Sequence, residues 1–208
     1  MPTQVVDHPL AAERLAVLRD RGTAPVAFRL ALRELSTLLV YEACRELATA
    51  EVTVETPLGP AAGRRLVATP VLVPVLRAGL GMLDGALALL PEARVGFVGV
   101  RRDEATLRPD PYLTSLPGDL AGQPALVLDP MLATGGSLVH TLRLLRAVNV
   151  GAVTVCCVLA APEGLAATAE AGFATTTVVA AAVDCRLNDV GFIDPGLGDA
   201  GDRQFGTW

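Results

Sequence analysis

The segment Ala125–Ser137 joins an apolar run, an acidic residue and a glycine pair in an order that suits anion binding. The first four residues predict a buried strand, and Asp129 follows where that strand would reach solvent. Thr134 and Ser137 flank the two glycines and open a predicted helix. Backbone N–H groups at a helix start bind phosphate, and glycines let the phosphate approach closely. We therefore predict a phosphate site here, with Ser137 as a suitable N-cap; an ordinary helix cap with turn glycines is the alternative.

The carboxylate of Asp129 adds a second function to this segment. A carboxylate accepts hydrogen bonds from hydroxyl groups, so its place at a strand tip suits a ribose diol. The segment is not a Walker loop, because the G-x-x-x-x-G-K-[ST] pattern is missing, nor a dinucleotide fingerprint.

The basic residues restrict the ligand further. All 17 are arginine, and the 208-residue chain has a net charge of −5. The absence of lysine excludes Schiff-base chemistry, and the absence of a basic run disfavours a nucleic-acid surface. A strongly anionic ligand must therefore be held by a few placed arginines. Arg77 and Arg102 each follow a predicted strand, although Arg102 could equally be a solvated strand end.

The remaining composition favours a soluble cytoplasmic protein. Val150–Ala161 is the longest apolar stretch, which is well short of a membrane-spanning helix, and the amino terminus resembles no signal peptide. The four cysteines form no C-x-x-C pair, so we expect buried free thiols and neither a zinc site nor disulfides.

The predicted elements that position these residues alternate along the chain between strands and helices. Ala11–Arg19 and Val26–Leu47 predict helices, and Glu51–Thr56 predicts an edge strand or hairpin arm. From residue 70, short β-branched runs alternate with helical stretches, which predicts an α/β fold: a central, mostly parallel sheet flanked by helices. The alternating segments are Val71–Leu76, Leu80–Leu90, Val95–Val100, Ala125–Leu128, Leu138–Val148, Val153–Leu159, Gly164–Ala171 and Thr175–Val183. Ligands in such sheets bind beyond the carboxyl ends of the strands, where every candidate residue falls.

Two segments break the alternation. Arg101–Gln123 is polar and rich in proline, which indicates a protruding functional arm or an ordinary surface insertion. Asn188–Trp208 is rich in glycine but carries several large apolar residues, so we predict an ordered loop with neither helix nor strand. We interpret residues 1–208 as one domain: N-terminal helices and edge strands (1–69), an α/β core (70–187) and a tail (188–208).

Asp129–Ser137, with the sequence DPMLATGGS, resembles the phosphoribosyl-diphosphate motif of type I phosphoribosyltransferases, and more narrowly that of the uracil phosphoribosyltransferase family. Segments along essentially the whole chain resemble that family in the same order: Asp7–Leu10, Leu18–Asp20, Tyr41–Glu42, Pro74–Met82, Arg102–Thr106 and Pro195–Asp202. The resemblance implies the type I phosphoribosyltransferase fold, with a C-terminal base-binding loop. It also implies transfer of phosphoribosyl from 5-phospho-α-D-ribose 1-diphosphate to uracil, giving UMP and diphosphate.

The resemblance also assigns residues and partners. It implies that the phosphoribosyl diphosphate is bound by Arg77, Arg102, Asp129, Pro130, Met131, Leu132, Ala133, Thr134, Gly135, Gly136, Ser137 and Asp199. It implies that uracil is bound by Ile193, Gly198, Asp199 and Ala200, and that catalysis depends on Arg77, Arg102, Asp129 and Asp199. Mg²⁺ would be held mainly by substrate oxygens rather than by protein side chains. A homodimer or homotetramer is implied, with GTP activation in part of the family, and no nucleic-acid or membrane partner.

Three residues depart from the family pattern and keep alternatives open. Arg101 and Phe192 stand where tyrosine is usual, and Asp194 stands where an aliphatic residue is usual. Asp194 could alter base affinity or point to solvent, so a paralogue that uses another base is one alternative. A nucleotide-binding regulator of RNA attenuation with the same fold is the other, although it would need a basic RNA face.

Overall fold

A computed structural model describes residues 1–102 and 109–207 of the chain. Its α-helices are α1 (Pro9–Arg19), α2 (Pro25–Ala43), α3 (Leu80–Leu89), α4 (Gly136–Ala147), α5 (Pro162–Thr168) and α6 (Ala200–Phe205), and a π-helical segment (Ala169–Phe173) follows α5 directly. Its strands are β1 (Thr3–Val5), β2 (Thr49–Thr56), β3 (Gly59–Leu66), β4 (Val71–Leu76), β5 (Phe97–Arg102), β6 (Pro109–Ser115), β7 (Ala125–Leu128), β8 (Met131–Leu132), β9 (Val153–Ala160), β10 (Thr177–Val183), β11 (Arg186–Leu187) and β12 (Ile193–Asp194). In this described part, no helix is long and apolar enough to cross a membrane.

The main sheet has eight strands, in the order β1-β10-β9-β7-β4-β5-β6, with β8 paired to β9. All neighbouring pairs are parallel except β5 with β6, which is antiparallel at one edge. The prediction of a central, mostly parallel sheet is therefore confirmed. Because β4 and β7 are adjacent and parallel, the loops that follow them leave the same edge of the sheet.

The two faces of the sheet carry separate apolar cores, because successive strand residues point to opposite sides. In β7, Leu126 and Leu128 face the layer formed by α1, α2 and α3, which includes Phe28 and Leu35. Val127 faces the other layer, where helix α4 packs. Helices thus cover both faces, as expected for strands whose residues are almost all apolar.

Three N-terminal elements, α1, α2 and β2, match the predictions in type and differ at their ends, whereas β1 and β3 were not predicted. Helices α1 and α2 both begin at a proline, which suits the first helical position because its missing N–H needs no partner there. Helix α2 ends at Ala43, four residues before the predicted Leu47. The predicted strand is one arm of a separate hairpin in which β2 pairs only with β3.

One of the two predictions on irregular segments is wrong in part. Residues 109–115 of the polar segment form the edge strand β6, which tolerates prolines because edge strands need fewer backbone donors. Residues 103–108 of the proposed arm lie outside the described residues. The tail is ordered but not devoid of regular structure, because it contains β12 and the six-residue helix α6.

The four cysteines are free, but not all are buried. Cys156 and Cys157 are buried in β9, where burial raises the pKa of both thiols. Cys44 is half-buried and Cys185 is exposed, so the prediction of a buried thiol is wrong for Cys185.

Candidate functional site

The loop after β7 begins with the carboxylate of Asp129. Its side chain is half-buried, and loss of solvation raises the pKa of this carboxyl from 3.8 to about 7. The N–H of Met131 donates to Oδ1 over 3.4 Å, which only partly offsets that effect. Near neutral pH, the Asp129 carboxyl is therefore protonated in some molecules and ionised in others.

The predicted phosphate cradle is a helix N-terminus without a side-chain cap. Helix α4 begins at Gly136, and its N-cap is Gly135, which has a left-handed backbone (φ 82°). Ser137 lies inside the first turn, so its prediction as the N-cap is wrong. The first N–H groups of the helix have no intrahelical partner, which leaves backbone donors for an anion. The Thr134 and Ser137 side chains are half-buried beside these donors.

Residues 130–133 connect Asp129 to this helix along the end of β9. The carbonyl of Pro130 accepts from Val158 and Leu159 N–H groups at 3.0 Å each, and that of Leu132 accepts from Ala161 N–H at 2.9 Å. The Leu132 side chain is 2% exposed and belongs to the core. The loop is therefore held in place by backbone pairing, and Leu132 can offer a ligand only its main chain.

The turn after β4 presents Arg77 next to the end of β7. A Cβ at Gly79 would lie 2.2 Å from the carbonyl oxygen of Leu128, so the two backbones are in direct contact. The Arg77 side chain is 57% exposed, and the peptide between Leu76 and Arg77 is cis. The predicted diphosphate arginine and Asp129 thus leave neighbouring strands at one edge of the sheet.

Helix α6 of the tail closes against this same turn. Arg77 Nη2 donates to Asp202 Oδ1 over 3.1 Å, and Gln204 Nε2 donates to the Ala78 carbonyl over 3.0 Å. The Asp199 side chain caps the helix by accepting from the Asp202 N–H over 2.8 Å. The structure therefore brings the predicted base-binding tail into contact with the predicted diphosphate turn.

The four residues predicted to bind uracil surround a tight turn. Ile193 is buried in β12, where it pairs with Leu187, and Ala200 is buried at the start of α6. Gly198 and Asp199 are exposed between them. Their backbone groups line a short stretch that ends against the Arg77 turn.

Arg102 is the predicted site residue whose side chain the structure does not describe. It is the last residue of β5, which lies beside β4 on the parallel part of the sheet. Its backbone position is therefore at the same sheet edge as Arg77.

Sequence reasoning missed the residues that hold the tail. Arg19 and Asp184 form an ion pair beneath it, and the buried Arg203 of α6 donates to the carbonyl of Leu197 over 2.9 Å and to that of Leu18. The only available signal was the segment Leu18–Asp20, whose family resemblance carried no role.

Comparison with known proteins identifies the family. The family model described as uracil phosphoribosyltransferase matches residues 5–207. The chain belongs to the uracil phosphoribosyltransferase family. It is therefore a pentosyl-transferring enzyme.

Relatives match the chain over nearly its whole length. The uracil phosphoribosyltransferase of Corynebacterium diphtheriae is 50% identical over 99% of this chain and 97% of the relative, and that of Corynebacterium urealyticum is 47% identical over 99% and 96%. The solved structure of the AQ2163 protein from Aquifex aeolicus is 40% identical, with a TM-score of 0.94, covering 99% of this chain and 98% of that one. An adenine phosphoribosyltransferase from Trypanosoma brucei, 14% identical with a TM-score of 0.58 over 91% of this chain and 86% of that one, shares the fold.

The departures from the family pattern have local partners. Asp194 lies opposite Arg186 across the β11–β12 pair, and their side chains form an ion pair of 3.1 Å at 44% exposure of Asp194. Arg101 pairs with the cross-strand Asp110 at 2.6 Å. Both added charges are thus neutralised on the surface, and Phe192 is half-buried with its N–H donating to Asn188 Oδ1.

Proposed function

We propose that this enzyme transfers the phosphoribosyl group from 5-phospho-α-D-ribose 1-diphosphate to uracil, giving UMP and diphosphate. The observation that carries the proposal is the meeting of three segments at one sheet edge. These are the uncapped start of α4, the Arg77 turn against the end of β7, and the tail that contacts that turn. Each segment matches one chemical part of the two substrates.

The 5′-phosphate would bind in the cradle at residues 134–137. The first N–H groups of α4 lack a capping side chain, and the positive end of the helix dipole favours a phosphate. Thr134 and Ser137 would add hydroxyl donors. Asp129, one loop earlier, would accept hydrogen bonds from the ribose hydroxyls, and an ionised carboxylate would be stabilised by them.

The diphosphate would bind at Arg77 and Arg102. A guanidinium fork matches a pair of phosphate oxygens and stays charged at any working pH. In the free enzyme Arg77 pairs with Asp202 at 57% and 33% exposure, so solvent already weakens that pair. A more highly charged diphosphate would therefore displace Asp202 from Arg77.

We include Mg²⁺ as the cofactor, held mainly through the substrate. Among residues 1–102 and 109–207, no group of three or more His, Cys, Asp or Glu side chains is arranged to hold a metal ion. An ion that keeps water and substrate oxygens as its ligands, as Mg²⁺ commonly does, does not need such a group of side chains. When bound, it supplies positive charge to the leaving diphosphate.

Uracil would bind at the tail through Ile193, Gly198, Asp199 and Ala200. Its alternating carbonyl and N–H groups can pair with main-chain donors and acceptors, which the tight turn exposes. Cytosine would be rejected because its amino group meets a donor instead of an acceptor. The carboxylate of Asp194 lies at the surface, where it pairs with Arg186 at 44% exposure and is screened by solvent, so it need not act on the base.

Catalysis would then depend on alignment and on charge. Departure of diphosphate leaves an oxocarbenium-like anomeric carbon, which the uracil nitrogen attacks, so no covalent enzyme nucleophile is required. Residues 134–137 and Asp129 fix the ribosyl group, while the tail fixes the base in line with the breaking bond. Arg77 and Arg102 stabilise the negative charge of the departing diphosphate, and Asp199 lies between base and ribose.

The decisive experiment is an assay of purified protein with Mg²⁺, phosphoribosyl diphosphate and radiolabelled uracil. We expect labelled UMP, and its absence at millimolar substrate would overturn the proposal. Unlabelled cytosine and purine bases, added as competitors, would reveal a paralogue that uses another base. An RNA mobility-shift assay tests the regulator alternative, which the net charge of −5 disfavours.

The variant Arg77→Ala tests the site. We expect kcat/KM for phosphoribosyl diphosphate to fall by about 100-fold or more, because a charged donor to the leaving group is lost. Arg64→Ala, on the separate hairpin, is the matched control and should retain the wild-type rate. Equal rates for both variants would remove Arg77 from the site, and unchanged melting temperatures would confirm that each variant is folded.

Two further properties belong to the proposal as expectations from the family. We expect a homodimer or homotetramer in analytical ultracentrifugation. We also include GTP as an activator to be tested by adding it to the UMP assay at subsaturating phosphoribosyl diphosphate.

A further inference from the structure

An ion pair lies beneath the tail and connects it to the N-terminal helix. Arg19, the last residue of α1, donates through Nη1 to Asp184 Oδ2 over 2.8 Å and through Nη2 to Asp184 Oδ1 over 2.6 Å. Asp184 follows strand β10 and is only 7% exposed. This two-pronged geometry is the strongest form of an arginine–carboxylate contact.

Both partners also hold the backbone of Gly196. The N–H of Gly196 donates to Asp184 Oδ2 over 2.9 Å, and Arg19 Nη1 donates to the Gly196 carbonyl over 2.9 Å. Gly196 is buried and has a left-handed backbone (φ 60°), and a Cβ there would lie 2.1 Å from the Ile193 carbonyl oxygen. Its donor and acceptor are thus both used by one ion pair.

We propose that Arg19 and Asp184 are positioning residues for uracil, acting through Gly196. Neither is among the residues proposed to touch the base. Gly196 lies between Ile193 and Gly198, so its placement sets the spacing of the backbone groups that would pair with uracil. The inference rests on the proposed uracil site of the tail.

Removing the Arg19 side chain should displace the turn at Gly196. Asp184 would become a buried carboxylate without its cation, a state that proteins relieve by admitting water or by moving the chain. The hydrogen bond from Arg19 also holds the pKa of Asp184 below its ordinary value, which keeps the pair ionised. The turn at Gly196 is the segment that would move, because its carbonyl is bonded to Arg19 and its N–H to Asp184.

If the Arg19–Asp184 ion pair were purely structural, its removal would lower the stability of the protein without affecting one substrate more than the other. The protein offers a matched control in Arg45, which binds Glu42 through two donors at 2.7 and 2.6 Å. That pair involves no residue of the tail. The two arginines therefore differ in their connection to the base loop.

The test compares Arg19→Met, Arg19→Lys and Arg45→Met in steady-state kinetics with both substrates varied. For Arg19→Met we expect KM for uracil to rise about ten-fold and KM for phosphoribosyl diphosphate to change less than about two-fold. Arg19→Lys should lie between wild type and Arg19→Met, because an ammonium cannot span both carboxylate oxygens and the carbonyl. Arg45→Met should leave both KM values unchanged. KM does not depend on the folded fraction, so partial unfolding would lower only the apparent kcat.

Calorimetric binding provides the second readout. Arg19→Met should weaken UMP while leaving ribose 5-phosphate unaffected, because the latter lacks the base. An unchanged KM for uracil, or equal rises in both KM values, would overturn the inference. If Arg19→Met does not fold, the comparison of Arg19→Lys with wild type decides in the same way. A wild-type enzyme that forms no UMP would instead overturn the proposed function, and the two failures are distinguishable.

Discussion

Replacing Asp129 by asparagine should remove a large pH dependence from the stability of the free protein. Burial at the end of β7 raises the pKa of this carboxyl from 3.8 to about 7. Its hydrogen bond from the Met131 N–H is long, at 3.4 Å, so little compensates for the lost solvation. The folded protein therefore holds this proton more tightly than the unfolded chain.

The sign of the effect follows from where the proton is lost. Below about pH 4 the group is protonated in both states, and stability is complete. As the pH rises towards about 7 the unfolded chain releases the proton first, so the free energy of unfolding falls, and above that range the loss is complete. The difference between the two pKa values corresponds to a loss on the order of 4 kcal/mol.

The assay is urea unfolding of wild type and Asp129→Asn at about pH 5 and about pH 8. Asparagine does not titrate, while all other groups are common to both proteins. We expect the variant to gain about 3 kcal/mol relative to wild type between these pH values, because part of the loss precedes pH 5. The same variant should form UMP more slowly, since its amide offers the ribose hydroxyls one acceptor oxygen and no charge where the carboxylate offers two acceptor oxygens.

A stability difference between the two proteins that is the same at both pH values would contradict this prediction. That outcome would mean that Asp129 is solvated in the free enzyme. A gain in stability together with a loss of activity would instead identify a destabilising charge that is kept for function.

Two further predictions concern the walls of the site. Gly79→Ala should destabilise the protein by about 3 kcal/mol or more, because its Cβ would lie 2.2 Å from the Leu128 carbonyl oxygen, which is backbone and cannot move cheaply. Gly118→Ala, which has nothing within 4 Å, is the control, and equal urea midpoints would contradict the prediction. Asp194→Leu should change KM for uracil by less than about two-fold, because the carboxylate lies at the surface, pairs with Arg186 and is screened by solvent. A larger change in the UMP assay would show that Asp194 acts on the base.

Much of the fold was predictable because strand and helix periods are local properties. The apolar runs before Asp129 and Arg77 became adjacent parallel strands, and the alternation indicated helices on both sides. The hairpin beyond β2 and the edge strand β6 were harder, since exposed strands carry no consistent apolar period. Helix α6 was missed because six residues, one of them glycine, give too short a window for a 3.6-residue period.

The sequence by itself predicted the phosphate cradle and the candidate ligand class. Residues 125–137 are contiguous, so their order alone predicts a strand, a carboxylate and a helix start. The family resemblance named the other segments for the same reason, since each is a short stretch of adjacent residues.

Only the tertiary structure decided how these segments are held and charged. Arg19 and Asp184 are 165 positions apart, and nothing local indicates that they meet under Gly196. The raised pKa of Asp129 and the surface pairing of Asp194 likewise depend on what packs around each carboxylate. Burial and distant partners set the energy of a charge, and both arise only when the chain has folded.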